Sequence, residues 1–376
     1  MAYNPHSDKK GDWHCEKVLG SGGFGTVRLW KHKKNNELLA LKECRLMLDD
    51  KNKRRWNTEI AIMQRLDHTN VVKAIKVPDV LQSNDGDIPH LGMEYCSGGD
   101  LRHLLNSAEN CCGLKENMVR DIILQITSGI EYLHSKRIIH RDLKPENIVL
   151  QNLKQNKIQY KIIDLGYAKA LDDGSVCSSF VGTLQYLAPE LFSSKEYTRT
   201  VDYWSFGTVV FECIVGFRPF LSMLQPAKWH GIVKKKSSEH ICVFFDMNGQ
   251  PQFSSTLPNP NYLCQPFKEN IEKWLRLLLE WIPRKRGGKM DEITKQPLVF
   301  SRIDLILHQK IAHIYCIHTN TLLSYVVSGN KSMQSFQEQL TKDTGIPIEK
   351  QELLFPSGAS IDPRQPSLHL ASQQLD

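Results

Sequence analysis

The octapeptide HRDLKPEN, His140 to Asn147, decides how the rest of this chain is read. It strings a carboxylate, an ammonium group and a carboxamide along one short loop. Asp142 can accept or orient the proton of an attacking hydroxyl. Lys144, close behind it, can neutralise charge on a transferring γ-phosphoryl group. Asn147 offers a carbonyl oxygen to a magnesium ion. An ordered motif of this length does not arise by chance, so a purely structural reading of it carries little weight.

Working outward, the tripeptide DLG (Asp164 to Gly166) is weak alone. It follows HRD at the spacing of a strand hairpin, which makes Asp164 the expected second magnesium contact. Upstream, GSGGFGTV (Gly20 to Val27) has the form G-x-G-x-x-G-x-V. Glycine clusters are usually just turns, and dinucleotide folds use a similar spacing. Here β-type runs flank the loop on both sides, so it reads as a hairpin whose backbone N–H groups close over phosphates. Side chains at Gly20, Gly22 and Gly25 would obstruct that approach. Leu19, Ser21, Gly23, Phe24, Thr26 and Val27 complete the nucleotide-facing stretch. Lys42, in LALK, ends the third strand. A lone strand lysine is usually solvent-facing, but after such a hairpin its expected role is to bind the α- and β-phosphates while pairing with a helix glutamate. Glu59 is the candidate. Its plainer reading is a solvated helix charge, yet Trp56, Ile60 and Met63 put it beside the buried face.

Composition bounds the class. The 376 residues are 41% hydrophobic and 24% charged, ordinary values for a globular protein with a sizeable core. The net charge of +7 is scattered along the chain. It suits phosphate-bearing or acidic partners without implying nucleic acid. The opening MAYNPHSDKKGDW lacks the apolar segment of an export signal, and no long apolar run predicts a membrane span. The ten cysteines include the adjacent Cys111 and Cys112 but no C-x-x-C pair. They read as reduced intracellular thiols rather than disulfides or a zinc site.

The periodicity predicts antiparallel strands over 13–44 and a helix over 52–66. After Gly98 to Asp100 it predicts helices over 101–106, 116–134, 201–216 and 268–282. A small β-rich part followed by a larger helical part implies two lobes with a cleft between them. The glycine- and charge-rich run 284–296 closes the helical lobe, and 301–308 reads as a linker. From Ile311 the pattern alternates again, with Thr319-Asn320 as a hairpin turn and a polar helix over 332–343. This predicts a small β-grasp unit over 309–376, while 1–12 reads as a tail. KKK, Lys234 to Lys236, reads as a solvated basic patch before a nuclear localisation signal. Leu354 reads equally as a surface contact or a core residue.

Residues 13–300 resemble a eukaryotic protein kinase domain, an α+β bilobal fold with a β-rich N-lobe and a helical C-lobe. The motifs run in the family's order: glycine-rich loop, Lys42, Glu59, EYCSGGD, HRDLKPEN, DLG, APE (Ala188 to Glu190) and DYWSFG (Asp202 to Gly207). Lys144 and Thr183 resemble the serine/threonine kinases rather than the tyrosine kinases. The resemblance makes Met93 the gatekeeper and lets the backbone of Glu94 and Cys96 meet adenine. It also has Asp202 brace the HRD turn and Glu190 pair with Arg286. DLG replaces DFG and LALK replaces VAIK, and neither change removes a reacting group.

The stretches ENCCGLKE, DLGYAKALDDGSVCSSFVGTLQYLAPELF and TVDYWSFGTVVFECIVGFRPF resemble the IκB kinase catalytic subunits, and 309–376 is similar to that family's ubiquitin-like domain. KQP (295–297), FSSTLPNPNYLC and SIDPRQP resemble its alpha members more than its beta members. The resemblance implies ATP and Mg2+, IκB-type substrates with paired serines, and NF-κB signalling. The implied partners are a second catalytic subunit and a regulatory scaffold subunit, with no nucleic acid or membrane. The implied setting is the cytoplasm, with a nuclear share. Family members continue into a helical dimerisation region and a scaffold-binding segment. This chain stops at Asp376, before the last β-grasp strand, and is expected to be a fragment or a shortened isoform. That leaves an inactive or dominant-negative isoform, or a scaffolding pseudokinase, as rival readings. DDGSVCSSFVGT (Asp172 to Thr183) lacks any period, as suits a segment that switches arrangement. The resemblance makes it the activation loop, with Ser175 and Ser179 as regulatory phosphosites, and Arg141, next to Asp142, is an available partner for one phosphate.

Overall fold

The computed structural model describes residues 9–21, 25–44, 50–83, 88–165, 169–170, 185–193, 197–224 and 226–371. Ser175, Ser179 and Cys177, with Gly22 to Phe24 and Gly166, lie outside these.

The N-lobe is a six-stranded antiparallel sheet. Its strands are β1 (Lys9–Lys10), β2 (Trp13–Ser21), β3 (Gly25–His32), β4 (Leu38–Cys44), β5 (Ala74–Ile75) and β6 (Leu91–Met93), in the order β1-β2-β3-β4-β6-β5. Alternation decides what each face covers. Trp13, Cys15, Trp30, Leu39 and Leu41 bury one face as a small cluster with Leu81. Val27 pairs with Lys42 across β3 and β4, and both line the cleft. Helix α1 (Asp50–Met63) buries Trp56, Glu59 and Met63 along one stripe. It ends three residues before the predicted boundary, and Leu66 is buried beyond its end.

The C-lobe begins with α2 (Leu101–Leu105), capped by the Asp100 carboxylate, which accepts the His103 N–H at 2.8 Å. The long α3 (Glu116–Ser135) runs into β7 (Ile138–Ile139), and the hairpin β8 (Ile148–Asn152)–β9 (Ile158–Ile162) presents the catalytic loop. The short β10 (Lys169–Ala170) pairs with β7, and α4 (Glu190–Ser193) follows. At the centre stands α5 (Thr200–Val215), buried at every position from Val201 to Val215. A helix apolar on nearly all sides is one surrounded by protein. Around it lie α6 (Pro226–Val233), the hairpin β11 (Cys242–Phe245)–β12 (Pro251–Ser254), α7 (Gln265–Leu278) and α8 (Leu298–His308).

Residues 301–308 are not an open linker. They form most of α8, whose Val299, Phe300, Ile303 and Ile306 are buried in the C-lobe core. These apolar residues recur at helical spacing, which ties the segment down.

The last unit has its own core. β13 (Lys310–Cys316) and β14 (Thr321–Val327) form a hairpin, with Asn320 in the left-handed region. Helix α9 (Met333–Thr344) is capped by the Ser332 hydroxyl and closed by Gly345. Ala312, Tyr325, Val327, Phe336 and Leu340 pack between hairpin and helix. Past α9 the described residues hold short 3-10 turns and two isolated bridges, Leu354 to Ser360 and Pro366 to Ser332, in place of a third strand. Leu353 packs toward the core, whereas Leu354 is half exposed.

Two further expectations change. Lys236 is buried, its Nζ donating to the carbonyls of Ser237 (3.2 Å) and His240 (2.9 Å), so KKK is not a continuous solvated patch. Burial pushes its pKa down to about 8, against the pull of Glu280. The nine described cysteines are free thiols.

Candidate active site

The cleft between the lobes has a volume of about 600 Å3. Leu19, Gly20, Ser21, Gly25, Val27 and Lys42 line it from the N-lobe. Glu94 and Cys96 line it from the segment after β6, and Lys144, Asn147 and Asp164 from the floor. Thr26 is buried beside them in β3. Gly25 could not be replaced without movement, because a Cβ there would press on the Glu43 carbonyl oxygen.

Lys42, Glu59 and Asp164 meet although they come from a strand, a helix and a loop. The Lys42 Nζ lies 2.6 Å from Glu59 Oε1 and 3.3 Å from Asp164 Oδ1. The Trp56 ring centroid stands 5.5 Å away. Burial disfavours the Lys42 charge, but Glu59 and then Asp164 outweigh it and hold its pKa above the usual lysine value. Burial raises the pKa of Glu59, the Lys42 cation pulls it back, and Asp164 adds to the rise. The directions agree. One cation gains from two carboxylates, while each carboxylate gains from one cation and is repelled by the other.

On the floor, Asp142 is buried at 3% exposure. Its Oδ2 accepts from Lys144 Nζ at 2.8 Å and from Asn147 Nδ2 at 3.1 Å. The Asn147 amide also donates to the Asp142 carbonyl at 2.8 Å. With its nitrogen so used, Asn147 has its side-chain oxygen for a cation. An amide oxygen and the Asp164 carboxylate are the hard donors that magnesium prefers, so the residues fit that ion. Asp164 and Arg141 both adopt positive φ, 62° and 70°. Asp202, on α5, pins the turn: its carboxylate accepts the N–H of His140 at 3.0 Å and of Arg141 at 2.8 Å, and bonds the His134 ring at 2.8 Å.

The expected Glu190–Arg286 pair is present, in a two-pronged form at 2.7 and 2.9 Å. Arg141 is not an open cation. It is buried, and its guanidinium donates to the Tyr197 hydroxyl at 2.5 Å. Just after β6 the Glu94 N–H donates to the Lys73 carbonyl at 3.0 Å. Its carboxylate accepts from Lys161 Nζ at 2.8 Å, a tie absent from the sequence reading. Burial pushes the Cys96 thiol up to about 12, so it is a lining group rather than a nucleophile. Sequence reasoning also missed a cluster of Arg102, Glu146, Tyr186 and Glu212, whose members lie 26 to 110 positions apart.

A β-sheet lobe carrying a carboxylate-paired lysine, with a buried aspartate and two metal-ligand candidates opposite, defines a protein kinase. Residues 13–299 match the protein kinase domain, and residues 310–374 match the IKK UBL domain. The chain belongs to the protein kinase family and is similar to the IκB kinase subunits. It is 54% identical over 362 residues to the inhibitor of nuclear factor kappa-B kinase subunit alpha of Xenopus tropicalis, covering 96% of this chain and 48% of that protein. It is 53% identical over 357 residues to the Gallus gallus subunit alpha (95% and 47%). It is 51% identical over 363 residues to the Bos taurus subunit beta (96% and 48%). The chain thus spans about half the length of the curated relatives it matches.

Proposed function

We propose that this chain transfers the γ-phosphoryl group of Mg-ATP to paired serine hydroxyls of IκB-type inhibitors, within NF-κB signalling. The single observation that carries the reading is the assembled set Lys42, Glu59, Asp164, Asp142 and Asn147 around one cleft. A scaffolding pseudokinase has no need of that set, and this speaks against the rival. The similarity to subunits alpha and beta supports the substrate class. A second catalytic subunit and a regulatory scaffold subunit are the partners we propose. We place the activity in the cytoplasm, with a nuclear share. Among the described residues no helix is long and apolar enough to cross a membrane.

Each residue has a role in the transfer. The glycine hairpin, Leu19 to Val27, covers the nucleotide, and the backbone of Glu94 and Cys96 faces the adenine. Lys42, kept cationic by its two carboxylates, binds the α- and β-phosphates. Asp142 orients the serine hydroxyl and takes its proton, and Lys144 neutralises charge developing on the transferred group. Asn147 and Asp164 would hold magnesium. The bound ion supplies charge neutralisation between the phosphates. Positioning and charge compensation of this kind provide most of the rate in phosphoryl transfer. Ser175 and Ser179 are the proposed regulatory phosphosites, and paired serines after an acidic residue make the loop itself a substrate for a second copy.

The test is transfer of radiolabelled phosphate from Mg-ATP to a paired-serine peptide, with the alanine version as control. Labelling that needs the serines and is lost in Asp142→Asn is expected. Robust labelling by Asp142→Asn refutes the assignment.

A further inference from the structure

Arg102 lies on α2, outside the nucleotide cleft, yet its guanidinium is almost fully used. Its Nε donates to Glu146 Oε1 at 2.9 Å, and its Nη1 donates to Glu212 Oε1 at 2.9 Å. Its Nη2 donates to Glu212 Oε2 at 3.3 Å and to the Tyr186 hydroxyl. Tyr186 donates in turn to Glu212 Oε2 at 2.6 Å. Burial disfavours the Arg102 charge, but Glu212 outweighs it and the guanidinium is held strongly charged.

The place of this cluster matters more than its strength. Glu146 belongs to the loop that carries Asp142 and Lys144, and it lines the cleft beside Lys144 and Asn147. Its side chain keeps 43% of its exposure, whereas that of Glu212 keeps 6%. Tyr186 stands just before Ala188-Pro189-Glu190. Glu146 therefore stands open on the loop that receives the serine, with Glu212 buried behind Arg102. Without Arg102 these would form an acidic cradle fitted to a guanidinium, the fork geometry arginine recognises. Arg102 fills that cradle from within the chain. A second guanidinium, Arg218, lies 6.0 Å from the Tyr186 ring centroid. Arg218 adds a second positive charge beside Tyr186, and the surface is balanced toward neutral or acidic peptides.

We propose that Arg102 is a specificity-determining residue: it occupies the arginine-binding cradle of Glu146 and Glu212, so that the enzyme does not select substrates with arginine beside the acceptor serine. The proposal rests on the kinase reading above. Specificity here comes from a site closed to the wrong partner rather than from a contact to the right one.

The experiment uses the chain with Mg-ATP, the paired-serine peptide, and a set in which arginine replaces each neighbouring residue in turn. The readout is kcat/KM for each arginine peptide relative to the parent. For the wild-type chain no arginine should raise the ratio. For Arg102→Ala the ratio at one or two positions should rise about tenfold or more, the scale of a charge-assisted hydrogen-bonded pair. Arg102→Lys, which keeps the charge, should stay near wild type. A merely structural role would lower kcat/KM on every peptide and leave the ratios unmoved, and that result overturns the proposal. If Arg102→Ala does not fold, Arg102→Met keeps the packing of the stem and takes the same readout. A tenfold arginine preference in the wild-type scan alone also refutes it. If the wild-type chain fails on the parent peptide, the kinase reading is what falls.

Discussion

Replacing Lys42 by alanine while Glu59 stays in place strands a carboxylate in the interior. Glu59 is only 6% exposed, and Lys42 Nζ sits 2.6 Å from its Oε1. At that distance the gross attraction is about 6 kcal/mol at an effective dielectric of about 20. Much of this offsets desolvation, so the net cost of breaking the pair is about 3 kcal/mol, the low end for buried pairs. The pH dependence has a definite sign. Burial raises the Glu59 pKa, Asp164 raises it further, and only Lys42 opposes them. In Lys42→Ala the rise therefore grows. A carboxylate whose folded pKa lies above its unfolded value holds its proton more tightly in the folded state. The stability from that proton is complete below the unfolded pKa and is lost as pH climbs through the folded one. Lys42→Ala should thus be less stable relative to the parent at about pH 8 than at about pH 5. The double variant Lys42→Ala with Glu59→Gln removes the stranded charge, and at about pH 8 it should be more stable than Lys42→Ala alone. Urea denaturation of the parent, Lys42→Ala, Glu59→Gln and the double variant without nucleotide measures this. All three variants should transfer phosphate poorly, so stability separates the pair's structural part from its catalytic one. If Lys42→Ala lies within about 1 kcal/mol of the parent at both pH values, or the double variant is the less stable, the reasoning fails.

Three further outcomes are expected. Glu190→Gln leaves the Arg286 guanidinium, whose side chain is 0% exposed, without its carboxylate. It should cost about 3–5 kcal/mol in thermal unfolding, and a loss below about 1 kcal/mol would count against the pair as an anchor. Burial alone would raise the Asp202 pKa, but His134, His140 and the Arg141 N–H outweigh it and hold it low. A depressed carboxylate contributes stability that is present above its unfolded pKa and lost as pH falls through its folded one. Asp202→Asn should therefore cost about 2 kcal/mol near neutrality, with the gap narrowing in acid denaturation. Gly25→Ala drives a Cβ against the Glu43 carbonyl. Steady-state kinetics should show a raised KM for ATP, and unfolding should show a loss of about 1–3 kcal/mol.

What could be read from sequence was what repeats or what lies close along the chain. The alternation in β2 to β4 and the 3.6-residue spacing in α1 and α3 announce themselves because one face must be apolar. HRDLKPEN holds its partners within itself, so the contacts of Asp142 with Lys144 and Asn147 follow from the motif. Lys42 with Glu59 became legible through the order of motifs and the apolar stripe of α1, and Glu190 with Arg286 through the order of motifs alone. Arg102 had no such help, since its partners are 44 and 110 positions away. Lys236 misled for another reason: charge predicts exposure on average, but nearby carbonyls can satisfy an ammonium group. The segment 301–308 could have been read, because Val299, Phe300, Ile303 and Ile306 already mark a helix.

The polar side chains of α5 explain how one buried helix sets the geometry of the site. Asp202, Ser205 and Glu212 fall within an arc of about 80° on the helix. Each addresses a different piece of chain. Asp202 takes the N–H groups of His140 and Arg141 and so fixes the turn before Asp142. Ser205 donates to the Tyr186 carbonyl at 2.8 Å and holds the segment leading to Glu190. Glu212 receives Arg102 and Tyr186, and through Arg102 reaches Glu146 on the catalytic loop. The helix is otherwise packed by apolar neighbours, so these three groups cannot relax by moving it. Buried polar groups cost stability unless fully satisfied, and here each is satisfied by a loop whose position matters to the chemistry. The arrangement ties three separate segments to one buried helix. A change at any of the three should therefore disturb the position of Asp142 more than its distance from that residue would suggest.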